Sequence, residues 1–232
     1  MAKKETKKQA PVEGAKEALL ENEYESKSHA GLWIERNANL LSWIVIGIVL
    51  VVFGCIALNQ YVFAPKALEA ENENAKCEAY FAAGDFEKAL HGDEAECIGF
   101  EQVANSYKHY QPGRLAALYA GICYYELEDY ESAAEYLKRF KAKDLNIAPA
   151  AAQMLGDTYV ELENYGKALK AYRAAAETGN ELIAPMSLKK AGLIYLKEDN
   201  KAAAKAVFSA IKHNYPNSVE AQDIDKYISL AE

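Results

Sequence analysis

Two stretches of the chain, Glu126 to Ala134 (ELEDYESAA) and Glu161 to Leu169 (ELENYGKAL), lie 35 residues apart and read almost alike. The register extends beyond them. Gly121, Gly156 and Gly192 are spaced by 35 and 36 residues. A tyrosine follows each glycine by three positions (Tyr124, Tyr159, Tyr195), and an alanine by twelve (Ala133, Ala168, Ala204). Sixteen positions on come Leu137, Tyr172 and Phe208. A tandem unit of this length is one supersecondary element, unable to bury its apolar face alone, so copies must stack. Alanine is abundant and β-branched runs are scarce outside one stretch, which favours helices. The glycine lets a second helix cross close over the first, and the tyrosine packs one turn along the same face. The alanine is expected to be the reciprocal close contact. ELEDY, ELENY and LKEDN are acidic, turn-forming bends, expected to lie away from any ligand.

A weaker unit precedes these. Ala79 to Leu90 (AYFAAGDFEKAL) has the same helix-turn-helix shape, with Cys77 in the small position, Tyr80 as the aromatic and Ala89 as the alanine. Its second helix is interrupted by His91 to Gly99 and resumes at Phe100. Ser218 to Ala231 is amphipathic, with Val219, Ile224, Tyr227 and Ile228 toward one side, and reads as a cap on the stack. This pattern resembles the tetratricopeptide repeat (TPR) family, whose unit is an antiparallel helix pair of about 34 residues. The family's proline slot is filled in the final unit by Pro216. The resemblance implies an all-α TPR-like α-solenoid of about four hairpins plus a capping helix. The first hairpin, with its insertion, is assigned to 64–112, and three units with the cap to 113–232.

Ahead of the repeats, Asn37 to Pro65 contains no charged residue, and Leu40 to Leu58 is almost wholly apolar. Nineteen helical residues approach the ~30 Å hydrocarbon layer. Trp33 and Trp43 flank one end and Tyr61 and Phe63 the other, as interfacial aromatics do. A single N-terminal transmembrane helix is expected over 38–63, after a largely disordered tail, 1–37, with one short helix near Ala15 to Glu25. Seven Lys/Arg precede the span and only Lys66 and Lys76 follow closely, which keeps the N-terminus cytoplasmic and exports the repeats. The alternatives are a buried core helix, a cleaved signal peptide, and a lipoprotein whose Val52-Phe53-Gly54-Cys55 serves as a lipobox with Cys55 acylated.

The net charge of −8 falls entirely on residues 66–232, since residues 1–65 carry seven charges of each sign. An acidic domain argues against nucleic-acid binding. His29, His91, His109 and His213 are scattered, with no metal-ligand spacing, and no phosphate loop occurs. No enzyme activity, metal or cofactor is expected. Cys77 and Cys97 can close a disulfide in an oxidising compartment, or they are buried small hydrophobes, as Cys123 reads.

The TPR resemblance carries a partner groove with it. By the glycine register, the second unit offers Leu115, Leu118, Ile122, Tyr125 and Glu126 to that groove. The third offers Gln153, Asp157, Val160 and Glu161, and the fourth Met186, Lys189, Leu193, Leu196 and Lys197. The first unit offers Asn74, Glu78 and Phe81. The Lys/Asn/Arg clamp of co-chaperone TPRs is missing, because Ile122, Asp157 and Leu193 stand where Asn belongs. Some of these residues can equally pack between repeats. The layout of tail, span and repeats is similar to that of YfgM-type translocon accessory proteins, and membrane-anchored TPR proteins of this kind are common in Bacteroidetes. The resemblance implies a non-enzymatic periplasmic scaffold tethered to the bacterial inner membrane. Its partners would be Sec translocon subunits, a periplasmic chaperone or exported polypeptides. The alternative is an adaptor in envelope or outer-membrane biogenesis or cell division.

Overall fold

The computed structural model describes residues 29–93 and 96–232. The expected tail helix near Ala15 to Glu25, and all of the 1–37 tail before His29, lie outside the described residues. The chain divides into two compact units, Met1–Gln60 and Tyr61–Glu232.

In the first unit, α1 (His29–Arg36) is followed by α2 (Ala38–Leu58), 21 residues without a charge and without a buried side chain. Trp43, Leu50, Val51 and Phe53 are all more than 60% exposed. This helix is long and apolar enough to cross a membrane. A single π turn, Asn59–Phe63, follows it.

The second unit is a stack of helical hairpins, and its described residues contain no strand. The hairpins pair α3 (Ala64–Ala82) with α4 (Phe86–His91) and α5 (Phe100–Ser106), α6 (Gln111–Glu126) with α7 (Tyr130–Arg139), α8 (Ile147–Glu161) with α9 (Tyr165–Glu177), and α10 (Ile183–Lys197) with α11 (Lys201–Asn214). In each pair the first member is the A helix. A short helix, α12 (Ile224–Leu230), closes the end.

All four bends share one construction. Gly84, Glu128, Glu163 and Asp199 adopt left-handed φ between 54° and 76°. The next residue, Asp85, Asp129, Asn164 or Asn200, donates its N–H back to the tyrosine carbonyl five residues earlier (2.8–3.0 Å). The same residue then N-caps the B helix, its side chain accepting from Lys88, Ser132, Lys167 or Ala203 N–H. One residue thus ends one helix and starts the next.

Close packing of the hairpins rests on the glycines. A Cβ on Gly121 would lie 2.7 Å from Leu137, on Gly156 2.5 Å from Tyr172, and on Gly192 2.3 Å from Phe208. The close-contact partner is therefore the residue sixteen positions on. Ala133, Ala168 and Ala204 are fully buried, but the atoms nearest each glycine belong to that larger residue.

The first hairpin departs from this rule. Sixteen residues after Cys77 stands Asp93, inside the insertion, and Cys77 instead bonds Cys97 as a disulfide with Cα atoms 5.2 Å apart. Gly92 and Gly99 form the neck, with φ of 88° and 87°; a Cβ on either would run 2.4 Å from a backbone oxygen of the facing strand of chain. Asp93 organises the loop, accepting from the N–H of Glu96 (2.7 Å) and of Cys97 (2.9 Å), while the Tyr80 hydroxyl donates to its other oxygen. That hydrogen bond, then burial, pushes the Tyr80 hydroxyl up to about 12.

At the far end, Ile224 is fully buried against Phe208, Ile211 and Ala231, as a cap requires. The cap is shorter than the amphipathic stretch suggested. Residues Glu220–Gln222 form a 3-10 turn, and Val219 is 72% exposed rather than facing the core. Pro216 lies in the connection just before this turn.

Candidate functional site

Three A helices and one B helix enclose a cleft of about 400 Å³, within the range of ligand sites. Tyr125 comes from α6; Asp157, Val160 and Glu161 from α8; Lys190, Leu193, Ile194 and Lys197 from α10; Tyr165 and Tyr172 from α9. Asp157 organises its polar side. Its carboxylate accepts from the Tyr172 hydroxyl at 2.6 Å and from Lys190 Nζ at 2.7 Å on both oxygens. Burial first, and then Asp157, drives the Tyr172 hydroxyl far above the ordinary phenol range. Lys197 Nζ bonds the Tyr165 hydroxyl and lies over its ring, 4.4 Å from the centroid. Tyr125 meets the ring of Tyr130 edge-on at 5.4 Å, and burial followed by Glu161 and Asp157 raises its hydroxyl. Tyr125 and Tyr172 are therefore neutral at physiological pH. Val160, Leu193 and Ile194 supply apolar surface beside hydroxyl donors and one fixed ion pair, a combination that takes an apolar side chain and hydrogen-bonds the chain around it.

Of the residues expected in the groove, the structure gathers Tyr125, Asp157, Val160, Glu161, Leu193 and Lys197 here. Others pack between repeats. Leu118 is 7% exposed and, with Leu115 and Ile122, packs with Leu137, Ala151 and Met154. Gln153 bridges repeats, donating to Met186 Sδ (3.3 Å) and accepting from Ser187 Oγ (3.0 Å). Lys189 ion-pairs with Asp223 (2.8 Å) and lies over the Tyr227 ring, which ties the cap to α10. Leu196 packs with the Phe208 cluster. In the first hairpin, Asn74 is 3% exposed and donates to the Pro112 carbonyl (2.9 Å), and Phe81 packs on Phe86, Phe100 and Tyr119. Glu78 and Glu126 stay exposed.

Four lining residues were not expected. Tyr165 is the last residue of ELENY, so one bend does reach the cleft. At Tyr172 the repeat register indicates only a packing position. Leu137 and Phe208 hold the same register position, so the hydroxyl of Tyr172 signalled a polar partner there. Lys190 stands 33 residues after Asp157, nearly one repeat, a charge complementarity legible in sequence. Ile194 carried no such signal.

Antiparallel hairpins with a cleft on their A helices define a helical-repeat interaction domain. Residues 115–144 and 154–219 each match a family model described as tetratricopeptide repeat, and these matches support the tetratricopeptide repeat family for this chain. No curated protein matches it significantly. The first hairpin lies outside the matched residues, where the insertion between Gly92 and Gly99 breaks the spacing.

Proposed function

We propose that the chain is a non-catalytic, membrane-tethered TPR scaffold in the periplasm that serves the Sec translocon in the manner of YfgM-type accessory proteins. Its partners on this reading are translocon subunits, a periplasmic chaperone or exported polypeptides, bound by burial of an apolar segment in the α6–α8–α10 cleft. The observation that carries the binding reading is that cleft, open to solvent within repeats whose family binds proteins. The uncharged helix α2, with basic residues ahead of it, supports the tether and its orientation. The Cys77–Cys97 disulfide supports an oxidising compartment. Tethering raises the effective concentration around an equally anchored partner, so a weak cleft suffices.

Tyr125→Glu and Leu193→Glu test the cleft, because both side chains line it and Leu193 is 43% exposed. Each should reduce partner capture at least tenfold after in-cell crosslinking and gentle extraction, with unchanged helix content. Undiminished capture removes the cleft from the account. Co-isolation of β-barrel assembly or division components in place of translocon subunits would move the scaffold to the envelope-assembly pathway.

A further inference from the structure

The charge of this acidic domain is unevenly distributed along its helices. Glu126, Glu128, Asp129 and Glu131 surround the second bend with no basic residue among them. The first two connections from a B helix to the next A helix, at the opposite ends of the hairpins, read differently, whereas the third and fourth carry Glu181, Glu220 and Asp223 and no base. Between residues 107 and 114 stand Lys108, His109 and Arg114 and no carboxylate. Between 138 and 148 stand Lys138, Arg139, Lys141 and Lys143 against Asp144 alone. That carboxylate is already engaged by the N–H groups of Asn146 (2.9 Å) and Ala148 (3.3 Å), which hold it below the usual carboxylate range. Residues 141–147 are all exposed.

Apolar side chains stand out along the same edge. Leu145, Leu182 and Val219 recur at intervals of 37 residues and are 67%, 67% and 72% exposed. Asn180 joins two of these connections: its amide donates to the Leu145 carbonyl (2.7 Å), and its carbonyl accepts from Leu182 N–H (3.0 Å). Folding does not require an apolar residue at these places. Asp144, Asn180 and Ser218 supply the local backbone hydrogen bonds, and a polar neighbour would serve equally.

The chain enters the domain at this edge. The Phe63 ring lies 6.2 Å from Tyr110, and the Asn74 amide of α3 donates to the Pro112 carbonyl, so the first connection packs along α3. Tyr61, 80% exposed, stands three residues after the last residue of α2.

We infer that the first two connections form a lipid-contacting surface, with Lys141 and Lys143 on anionic phospholipid headgroups and Leu145 in the interfacial layer. The inference rests on the reading of α2 as a membrane span. Charge complementarity selects this occupant at the first two connections: their basic residues, on a chain of net charge −8, meet an anionic surface, while the acidic second bend is repelled by it. Each contact is weak alone, and the tether makes the sum effective.

The test uses the full chain with Cys55→Ser, reconstituted in vesicles of phosphatidylglycerol with phosphatidylethanolamine, or of phosphatidylcholine alone. Single nitroxide labels are placed through Ala142→Cys on the edge, Lys201→Cys at the fourth bend, or Ile48→Cys in α2. The buried Cys123 thiol, pushed up to about 12 by burial, and the Cys77–Cys97 disulfide leave the introduced cysteine as the reactive one among the described residues. Relative accessibility to oxygen over an aqueous nickel complex should be at least threefold higher at 142 than at 201 in anionic vesicles. It should fall toward the value at 201 in neutral vesicles, or when Lys141→Glu and Lys143→Glu are added. Equal aqueous accessibility at 142 and 201 in anionic vesicles, with position 48 reading hydrocarbon, overturns the lipid edge and leaves the span standing. An aqueous reading at position 48 overturns both.

Discussion

At the scale of single residues, the bends decide how firmly each hairpin closes. Glu128, Glu163 and Asp199 occupy left-handed backbone that glycine, present at the equivalent Gly84, adopts freely. That conformation costs an L-residue about 1–2 kcal/mol, and the greater freedom of glycine in the unfolded chain offsets about half of the relief. Glu163→Gly and Asp199→Gly should therefore each stabilise the domain by about 0.5–1 kcal/mol, read as a higher urea midpoint with unchanged slope. A lower midpoint would show that the acidic side chain makes a compensating contact. The identity of the N-cap, Asp or Asn at all four bends, was plain in the sequence because its chemistry is local. The left-handed residue before it was not. Glutamate seldom adopts positive φ, and only closure of the hairpin over the glycine imposes it.

Among the elements, the first hairpin shows most clearly what a sequence register can and cannot convey. The glycine-to-large-residue spacing of sixteen is fixed by helix length, so the later hairpins were readable from Gly121, Gly156 and Gly192. In the first, the insertion displaces the partner of the small residue, and covalent chemistry replaces packing: Cys77 meets Cys97 across the glycine neck. A disulfide closing a loop of this size stabilises by about 3 kcal/mol, mainly by restricting the unfolded chain. Cys77→Ala with Cys97→Ala should lower stability by about 2–3 kcal/mol and raise hydrogen exchange in α4 and α5, with α9 unaffected. Uniform loosening would mean that the hairpins melt as one block. The cleft was legible only in part for a related reason. Register identifies which helix face a residue occupies, but not whether the next hairpin covers it, so Leu118 and Leu196 were indistinguishable in sequence from Val160 and Leu193.

Across the whole domain, stability is close to a sum of hairpins and the contacts between neighbours. The last hairpin depends on α12, where Ile224 is fully buried against Phe208 and Ile211. Ile224→Asp places a charge in that contact and should detach the cap. The expected result is loss of exchange protection in α11, declining through α10 and absent by α4, and a broadened thermal transition. A sharp two-state loss at lower temperature would show stronger coupling than nearest-neighbour contacts provide. The disulfide at one end and the apolar cap at the other thus protect opposite ends of the stack by different means.

The spacing of sixteen residues between each glycine and the side chain that closes on it also governs the order in which the domain is made. Every hairpin core is local in sequence, and so is the Cys77–Cys97 link, with a separation of 20. Low contact order of this kind favours rapid closure. A chain emerging N-terminus first can complete and oxidise its first hairpin before Gly156 has appeared, and each later hairpin then adds to a finished surface. Only the last, with Phe208 and Ile211 awaiting Ile224, stays exposed to aggregation until α12 has emerged.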